Sequence, residues 1–130
     1  MQLTGLEGKT ALVTGSSLGI GKGIAKVLAK SGVKVVCCAR NQETLLQACS
    51  EIEKEGGRTL PVKADIASAS DRKQLVEQAL SNFGGVDFLI NNAGIHIDKE
   101  ALELEDREFN DLMETNLLSA FASVPSSIKP

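Results

Sequence analysis

The chain has 130 residues, and 14 Lys and Arg against 17 Asp and Glu give it a formal net charge of −3. This acidic balance, with no basic block, argues against a nucleic-acid partner or binding to a membrane surface. No stretch approaches the length of a membrane span, and the first ten residues lack the apolar core of a signal peptide, so we expect a soluble, cytoplasmic protein. The length fits a single domain over residues 1–130.

Three cysteines, Cys37, Cys38 and Cys49, are odd in number and match no metal-ligand spacing. Cys37 and Cys38 are adjacent on a predicted strand, so their side chains should point to opposite faces of a sheet. We interpret all three as small buried hydrophobic residues and expect no metal site.

The first predicted strand covers residues 9–14, which are nearly all apolar or β-compatible. A glycine-rich turn follows, and a helix begins near Ile20 and ends at Ser31 and Gly32. The apolar positions at helical spacing in this helix are Ile20, Ile24, Val27 and Leu28.

A second strand is predicted over residues 33–39. Asn41 is suited to cap a helix that ends at Gly56 and Gly57 and carries Leu45, Leu46, Cys49 and Ile52 on its apolar face. The third strand covers residues 58–64, and because Pro61 cannot donate a ladder hydrogen bond, we expect this strand at a sheet edge.

Ser70 or Asp71 opens a third helix, which Gly84 and Gly85 end, and a fourth strand covers residues 86–90. The last helix begins at about Glu105, and residues 123–130 resemble the interrupted start of another. The residues expected to face inward are Leu75, Val76, Ala79, Leu80 and Phe83 in the third helix and Phe109, Leu112, Met113, Leu117, Ala120 and Phe121 in the last.

The regular alternation of strands and helices predicts an α/β fold with a doubly wound parallel sheet. The strand order 3-2-1-4 would place the strand with Pro61 at the edge. In such a sheet, ligands bind at the carboxyl ends of the strands.

The turn after the first strand contains Gly15, Gly19 and Gly21. Glycine lets the backbone come close to a ligand, and the helix behind the turn directs N–H groups and a partial positive charge to the same place. The turn therefore predicts the pyrophosphate site of a dinucleotide. The alternative is a tight strand-to-helix turn such as any α/β protein contains.

Arg40 follows the second strand, and no Asp or Glu occurs there before Glu43. A guanidinium binds a phosphate with a fork of donors, whereas an acid would bind ribose hydroxyls and repel a phosphate. The sequence thus favours NADP(H), with NAD(H) as the alternative. The alternative without a ligand is a solvated arginine at a strand end.

Two further strand ends carry polar residues. Asp65 could accept a hydrogen bond from an adenine amino group, with Ile66 as apolar surface, or it could be an ordinary turn residue. The run Asn91-Asn92-Ala93-Gly94 offers amides that can brace neighbouring strand ends and small residues that leave room for a ring or a ribose. Here the alternative is an ordinary Asn-Gly turn.

Asn116 falls in the apolar stripe of the last helix, where a buried amide needs hydrogen-bond partners. It either satisfies a backbone carbonyl at a helix irregularity or holds a functional water. His96, the single histidine, is interpreted as a surface residue without a catalytic role.

Together these residues resemble the short-chain dehydrogenase/reductase family, over residues 6–121. Residues 14–21, Thr-Gly-Ser-Ser-Leu-Gly-Ile-Gly, match its cofactor motif T-G-x-x-x-G-I-G, and residues 91–94 match its N-N-A-G motif. Asp65 matches the adenine-side acid, and Asn116 matches the Asn of the catalytic tetrad. The resemblance implies a Rossmann fold.

The resemblance also implies a role for each matching residue. Asn116 would hold a water of the proton relay, and Leu18 stands where many NADP(H)-using members carry a second basic residue. The cofactor site would comprise Gly15, Ser17, Leu18, Gly19, Ile20 and Gly21 on the pyrophosphate and nicotinamide side, Arg40 and Asn41 at the 2′-phosphate, Asp65 and Ile66 at the adenine, and Asn92, Ala93 and Gly94 at the riboses.

The implied activity is NAD(P)(H)-dependent interconversion of a secondary alcohol and a ketone, on a small-molecule substrate, in a homodimer or homotetramer. The family's Ser and Tyr-x-x-x-Lys lie beyond the position of Asn116, and the 130 residues contain no tyrosine. We therefore expect a fragment without turnover on its own. The alternative is a non-catalytic dinucleotide-binding or regulatory module, while residues 91–94 argue against a third interpretation, a methyltransferase.

Overall fold

The computed structural model describes residues 3–119 of the chain. Within them, four parallel strands form one sheet in the order β3-β2-β1-β4, and helices connect the strands. The predicted doubly wound α/β fold and the predicted strand order are confirmed. The elements are β1 Thr10–Thr14, α1 Gly19–Lys30, β2 Lys34–Ala39, α2 Gln42–Lys54, β3 Arg58–Lys63, α3 Ala69–Phe83, β4 Phe88–Ile90, a 3₁₀ turn Ala101–Glu103, α4 Asp106–Met113 and a π-helical turn Glu114–Leu118.

The core lies on both faces of β1 and β2, as the apolar runs of central parallel strands require. One cluster contains residues of α1 and α2, and the other contains residues of α3. Cys37 belongs to the first and Cys38 to the second, so the prediction that they point to opposite faces is confirmed. Cys49 is buried as well, as expected.

The edge position of β3 is also confirmed. Pro61 lies opposite Cys37 of β2, and β3 has no second neighbour among residues 3–119. At that place the missing N–H of proline costs no ladder hydrogen bond.

α1 packs chiefly through small residues, and of the predicted apolar stripe only Ile24 and Leu28 pack against the core. Its buried residues are Gly21, Ala25 and Ala29. Ile20 is 78% exposed and Val27 is also at the surface, so the prediction was wrong for both. The small residues recur every four positions on one face, and they let the helix axis approach the sheet closely.

α2 follows the prediction more closely. Asn41 caps it, because its Oδ1 accepts the backbone N–H of Thr44 at 3.1 Å. Leu46 is exposed, which contradicts the expected inward position, because Ala48 completes the buried face instead. The predicted inward positions that are buried are Leu45, Cys49 and Ile52.

α3 begins earlier than predicted. Ser68 is the N-cap, and its Oγ accepts the N–H of Asp71 at 3.3 Å. Ser70 and Asp71 therefore lie inside the first turn instead of opening it. Leu80 is exposed, contrary to expectation, and the helix ends at Gly84, whose φ of 81° is left-handed.

β4 is two residues shorter at its start than predicted, and Asp87, the residue before it, bonds to β1 through both its backbone and its side chain. Its carboxylate Oδ2 accepts the N–H of Thr10 at 2.8 Å, while its own N–H donates to the Thr10 carbonyl at 2.8 Å. These two hydrogen bonds fix the start of β4 to β1.

α4 begins after Glu105, as predicted, and Glu108 holds its first turn through the Glu105 N–H and through Lys99. None of its described residues is buried. The prediction of an inner face was wrong for Phe109, Met113 and Leu117, which are exposed. No part of residues 3–119 covers this face of α4, and Leu112 on it is half-buried. The predictions for Ala120, Phe121 and residues 123–130 lie outside the described residues.

No helix within residues 3–119 has both the length and the apolar character needed to cross a bilayer.

Candidate cofactor site

A cleft of about 670 Å³ opens at the carboxyl ends of the strands. Five chain segments line it: the glycine turn, the end of β2 with the start of α2, the end of β3, the loop after β4 and the π-helical turn after α4. The predicted site residues among its lining are Gly15, Ser17, Leu18, Arg40, Asn41, Asp65, Ile66, Ala93 and Gly94, and the lining also includes Cys38, Ala39, Thr44, Ala64, Ile95 and Thr115. The predicted residues outside the lining are Gly19, Ile20, Gly21, Asn92 and Asn116.

The three glycines of the turn serve different needs. A Cβ on Gly21 would lie 2.2 Å from the Gly15 carbonyl oxygen, so Gly21 gives room for protein packing. Gly15 has a φ of 65°, and a Cβ there would lie 2.9 Å from the Cα of Ala93. Gly19 has a φ of 57° with no atom within 4 Å of the Cβ position. Of these three glycines, only Gly19 has open space at the position of a Cβ.

The N-terminus of α1 lacks a side-chain cap. Its N-cap is Leu18, which is 64% exposed, and among the described residues no side chain caps the helix and no acid lies in its first turn. Asn41 and Ser68 cap α2 and α3, respectively. An uncapped helix start with a partial positive charge suits an anion such as a pyrophosphate, so the turn fits this group.

Two hydroxyl groups that the sequence interpretation missed hold the turn in place. The Thr14 Oγ1 accepts the N–H groups of Asn92 and Ala93, both at 3.0 Å. The Oγ of fully buried Ser16 accepts the Cys38 N–H at 2.9 Å, and the Ser16 N–H donates to the Cys38 carbonyl at 3.1 Å. For Thr14, a hydroxyl at the end of an otherwise apolar, buried strand is the sequence signal that could have revealed it; Ser16, in the glycine turn, has no such signal.

Asn92 braces a neighbouring strand end, as predicted. Its Nδ2 donates to the carbonyls of Thr14 at 3.2 Å and Gly15 at 3.1 Å. This side chain therefore lies under the turn and outside the lining of the cleft. Its contact with a cofactor ribose stays a prediction.

Arg40 lies at the rim of the cleft, directly after β2, and is exposed. Within residues 3–119, no carboxylate lies within 4.0 Å of its guanidinium. Asn41 and Thr44 line the same part of the cleft, although the Asn41 Oδ1 is already engaged as the cap of α2. Arg40 therefore offers a cationic fork to an anion at this end.

Asp65 and Ile66 form the wall after β3. The Asp65 Oδ1 accepts the N–H of Ala67 at 3.0 Å. Asp65 therefore acts as a turn residue, which was one of the two interpretations of its sequence position. Ile66 is 6% exposed and gives the wall an apolar surface.

Cys38 lies at the floor of the cleft as a neutral thiol. Burial raises its pKa to about 12, and the negative charges of Asp71 and Asp65 add to this effect. The pKa of Cys37 is also raised, chiefly by its hydrogen bond to Cys49 and by burial. Neither thiol is ready to act as a nucleophile at neutral pH.

Asn116 is exposed, so the expectation of a buried amide was wrong. It lies in the π-helical turn after α4, where its Nδ2 donates to the Ile95 carbonyl at 2.8 Å and its Oδ1 accepts the Ile95 N–H at 2.7 Å. The bond to the Ile95 carbonyl, made from a helix irregularity, agrees with the first of the two alternatives, and the functional water stays a prediction. His96, next to Ile95, is exposed, as expected.

The family model described as short chain dehydrogenase matches residues 9–129 of the chain. The chain belongs to the short-chain dehydrogenase family, whose members are oxidoreductases.

Two curated relatives and one solved structure illustrate the similarity. The chain is 41% identical over 118 residues to the ketoacyl reductase HetN of Nostoc sp., covering 91% of this chain and 41% of the relative. It is 44% identical over 118 residues to a tropinone reductase homolog of Arabidopsis thaliana, covering 89% of this chain and 44% of the relative. The chain thus spans a little under half the length of these relatives.

The solved structure is that of L-sorbose reductase from Gluconobacter frateurii, complexed with NADPH and L-sorbose. It superposes with a TM-score of 0.89 at 35% identity and covers 94% of this chain and 47% of that one. The short-chain dehydrogenase fold of the described residues therefore matches about half of a longer relative.

Proposed function

We propose that the protein containing this chain is an NADP(H)-dependent short-chain oxidoreductase that interconverts a secondary alcohol and a ketone. The observation that carries this proposal is Arg40 at the rim of the cleft, exposed and without a carboxylate partner in the described part of the chain. A guanidinium so placed suits a 2′-phosphate, whereas NAD(H) is favoured by an acid at that strand end.

The other residues would bind the remaining parts of the dinucleotide. The glycine turn and the uncapped start of α1 would hold the pyrophosphate through Gly15, Ser17, Leu18, Gly19, Ile20 and Gly21. Asn41 would assist Arg40 at the 2′-phosphate, Asp65 and Ile66 would contact the adenine, and Asn92, Ala93 and Gly94 would border the riboses. When bound, the nicotinamide supplies or accepts the hydride.

Asn116 would take the part of the tetrad asparagine, since it fixes Ile95 beside the cleft and keeps its second amide hydrogen for a water. The 130 residues contain no tyrosine, the residue that the family resemblance assigns to proton transfer. We therefore infer that these residues bind the cofactor but do not turn over substrate by themselves. The same observation favours the second candidate, a dinucleotide-binding module without catalysis.

Three relatives support a reductase with a small carbonyl substrate. Their printed names are a ketoacyl reductase, a tropinone reductase homolog and an L-sorbose reductase complexed with NADPH. For this protein we propose a small-molecule ketone or secondary alcohol as substrate, a homodimer or homotetramer as the assembly, and a cytoplasmic location.

The test is a steady-state assay, with NADPH and NADH and a panel of small ketones, of a form of the protein that carries the family's Ser and Tyr-x-x-x-Lys beside these 130 residues. We expect reduction with a lower KM for NADPH than for NADH, and Arg40→Asp should raise the KM for NADPH about tenfold or more because it replaces attraction by repulsion. Binding of NADPH without any turnover would favour the non-catalytic module. A lower KM for NADH in the wild type would contradict the cofactor assignment.

A further inference from the structure

The wall formed by Asp65 and Ile66 is held from behind by the first turn of α3. The Asp71 Oδ2 accepts the N–H of Asp65 at 2.8 Å, and the Arg72 Nη1 donates to the carbonyl of Ile66 at 2.8 Å. Two consecutive residues of one helix thus bond through their side chains to the backbone of two consecutive residues, each six positions earlier in the chain. The Ser68 cap bonds to the N–H of Asp71 and fixes the turn that carries both side chains.

The charges of Asp71 and Arg72 are directed to these backbone groups. Neither side chain forms an ion pair within residues 3–119, and both are half-buried. Hydrogen bonds with one charged partner are about twice as strong as neutral ones, and a partly buried backbone group that loses its partner is costly. The turn between β3 and α3 therefore depends on this pair for its shape.

We propose that Asp71 and Arg72 are positioning residues for the adenine end of the cofactor cleft. They touch no reacting atom, and they act by fixing the backbone of Asp65 and Ile66, which line the cleft. This inference rests on the proposed function. Because the adenine is common to NADPH and NADH, the pair supports the affinity for both dinucleotides and leaves the choice between them to Arg40.

The test uses the protein as encoded and the variants Asp71→Ala, Asp71→Asn, Arg72→Ala and Arg72→Lys. Lys73→Ala is the matched control, since the Lys73 side chain is 79% exposed on the same turn. The dissociation constants for NADPH, NADH, adenosine 2′,5′-bisphosphate and nicotinamide mononucleotide are measured by calorimetry, and kcat is measured at saturating cofactor in a form that carries the family's Ser and Tyr-x-x-x-Lys. Circular dichroism verifies that each variant is folded.

We expect Asp71→Ala and Arg72→Ala to weaken the binding of NADPH, NADH and the adenosine bisphosphate by a similar factor of about five to ten. The mononucleotide affinity and kcat should stay within about twofold, and Asp71→Asn and Arg72→Lys should recover most of the lost affinity because they keep an acceptor and a donor. Lys73→Ala should match the wild type.

A folded Asp71→Ala or Arg72→Ala variant with unchanged affinity for the adenosine bisphosphate would overturn the inference. An equal loss of affinity for the mononucleotide would overturn the inference too, because that result indicates general damage to the fold. If Asp71→Ala does not fold, the comparison of Arg72→Ala with Arg72→Lys decides. A wild type that binds neither dinucleotide would instead contradict the proposed function.

Discussion

The side-chain amide of Asn116 forms two hydrogen bonds with the backbone of one residue, Ile95. Its Oδ1 accepts the Ile95 N–H at 2.7 Å, and its Nδ2 donates to the Ile95 carbonyl at 2.8 Å. The π-helical turn after α4 is thereby joined to the loop after β4, twenty-one residues earlier in the chain. Because Gly94 and Ile95 line the cleft, this pairing sets the position of one cleft wall.

Replacing Asn116 by Ala should release that wall. Both hydrogen bonds are lost, and since the site is exposed and water can replace them, we expect a loss of about 1 kcal/mol in the free energy of unfolding. Amide hydrogen exchange at Ile95 should accelerate more than at neighbouring residues. Asn110→Ala, on the exposed side of α4, is the control for the change of residue type. Unchanged exchange at Ile95 would show that the pairing does not hold the loop.

Two glycines of α1 should respond oppositely to the same substitution. A Cβ on Gly21 would lie 2.2 Å from the Gly15 carbonyl oxygen and 2.4 Å from the Asn92 Nδ2, whereas a Cβ on Gly23 meets no atom within 4 Å. Gly21→Ala should cost about 3 kcal/mol or prevent folding. Gly23→Ala should stabilise by about 0.5–1 kcal/mol, because alanine is the better helix former. Urea unfolding of both variants measures the contrast, and equal effects would refute the packing role of Gly21.

The burial of Cys38 should make stability fall at alkaline pH. Its pKa is raised from 9.0 to about 12 in the folded chain, so between these values the folded state keeps a proton that the unfolded state loses. The stabilising contribution is complete below pH 9 and declines above it, by at most about 1.4 kcal/mol per pH unit. Urea unfolding at several values between pH 8 and about 11 should therefore show a steeper decline for the wild type than for Cys38→Ala. Parallel curves would mean that Cys38 ionises in the folded protein.

The sequence was sufficient for the architecture because that depends on local patterns. Apolar strands alternate with helices, and Pro61 marks the edge strand, so the order of the sheet could be predicted. The capping role of Asn41 was equally local, since the side chain bonds to a residue three positions later.

The sequence was insufficient where a contact joins distant residues. Thr14 bonds to Asn92 and Ala93 across more than seventy positions, and Ser16 bonds to Cys38, so no periodicity reveals them. Burial also depends on the neighbouring element. Ile20 has the spacing of a core residue but is exposed, because α1 approaches the sheet through its small residues.

The same limit applies to the amide of Asn116. Its place in an apolar stripe predicted burial, yet it lies in an irregular turn and bonds to a loop. Helical periodicity describes a regular helix, and it loses its meaning where the helix widens to a π turn.

The central claim is that Arg40 gives the cleft its preference for a 2′-phosphate. Calorimetric titration of the wild type and of Arg40→Gln with NADPH and NADH tests this claim most directly. We expect the wild type to bind NADPH more tightly, and Arg40→Gln to lose about tenfold or more in affinity for NADPH while its affinity for NADH changes by less than about twofold. Equal losses for both dinucleotides, or tighter binding of NADH by the wild type, would contradict the account.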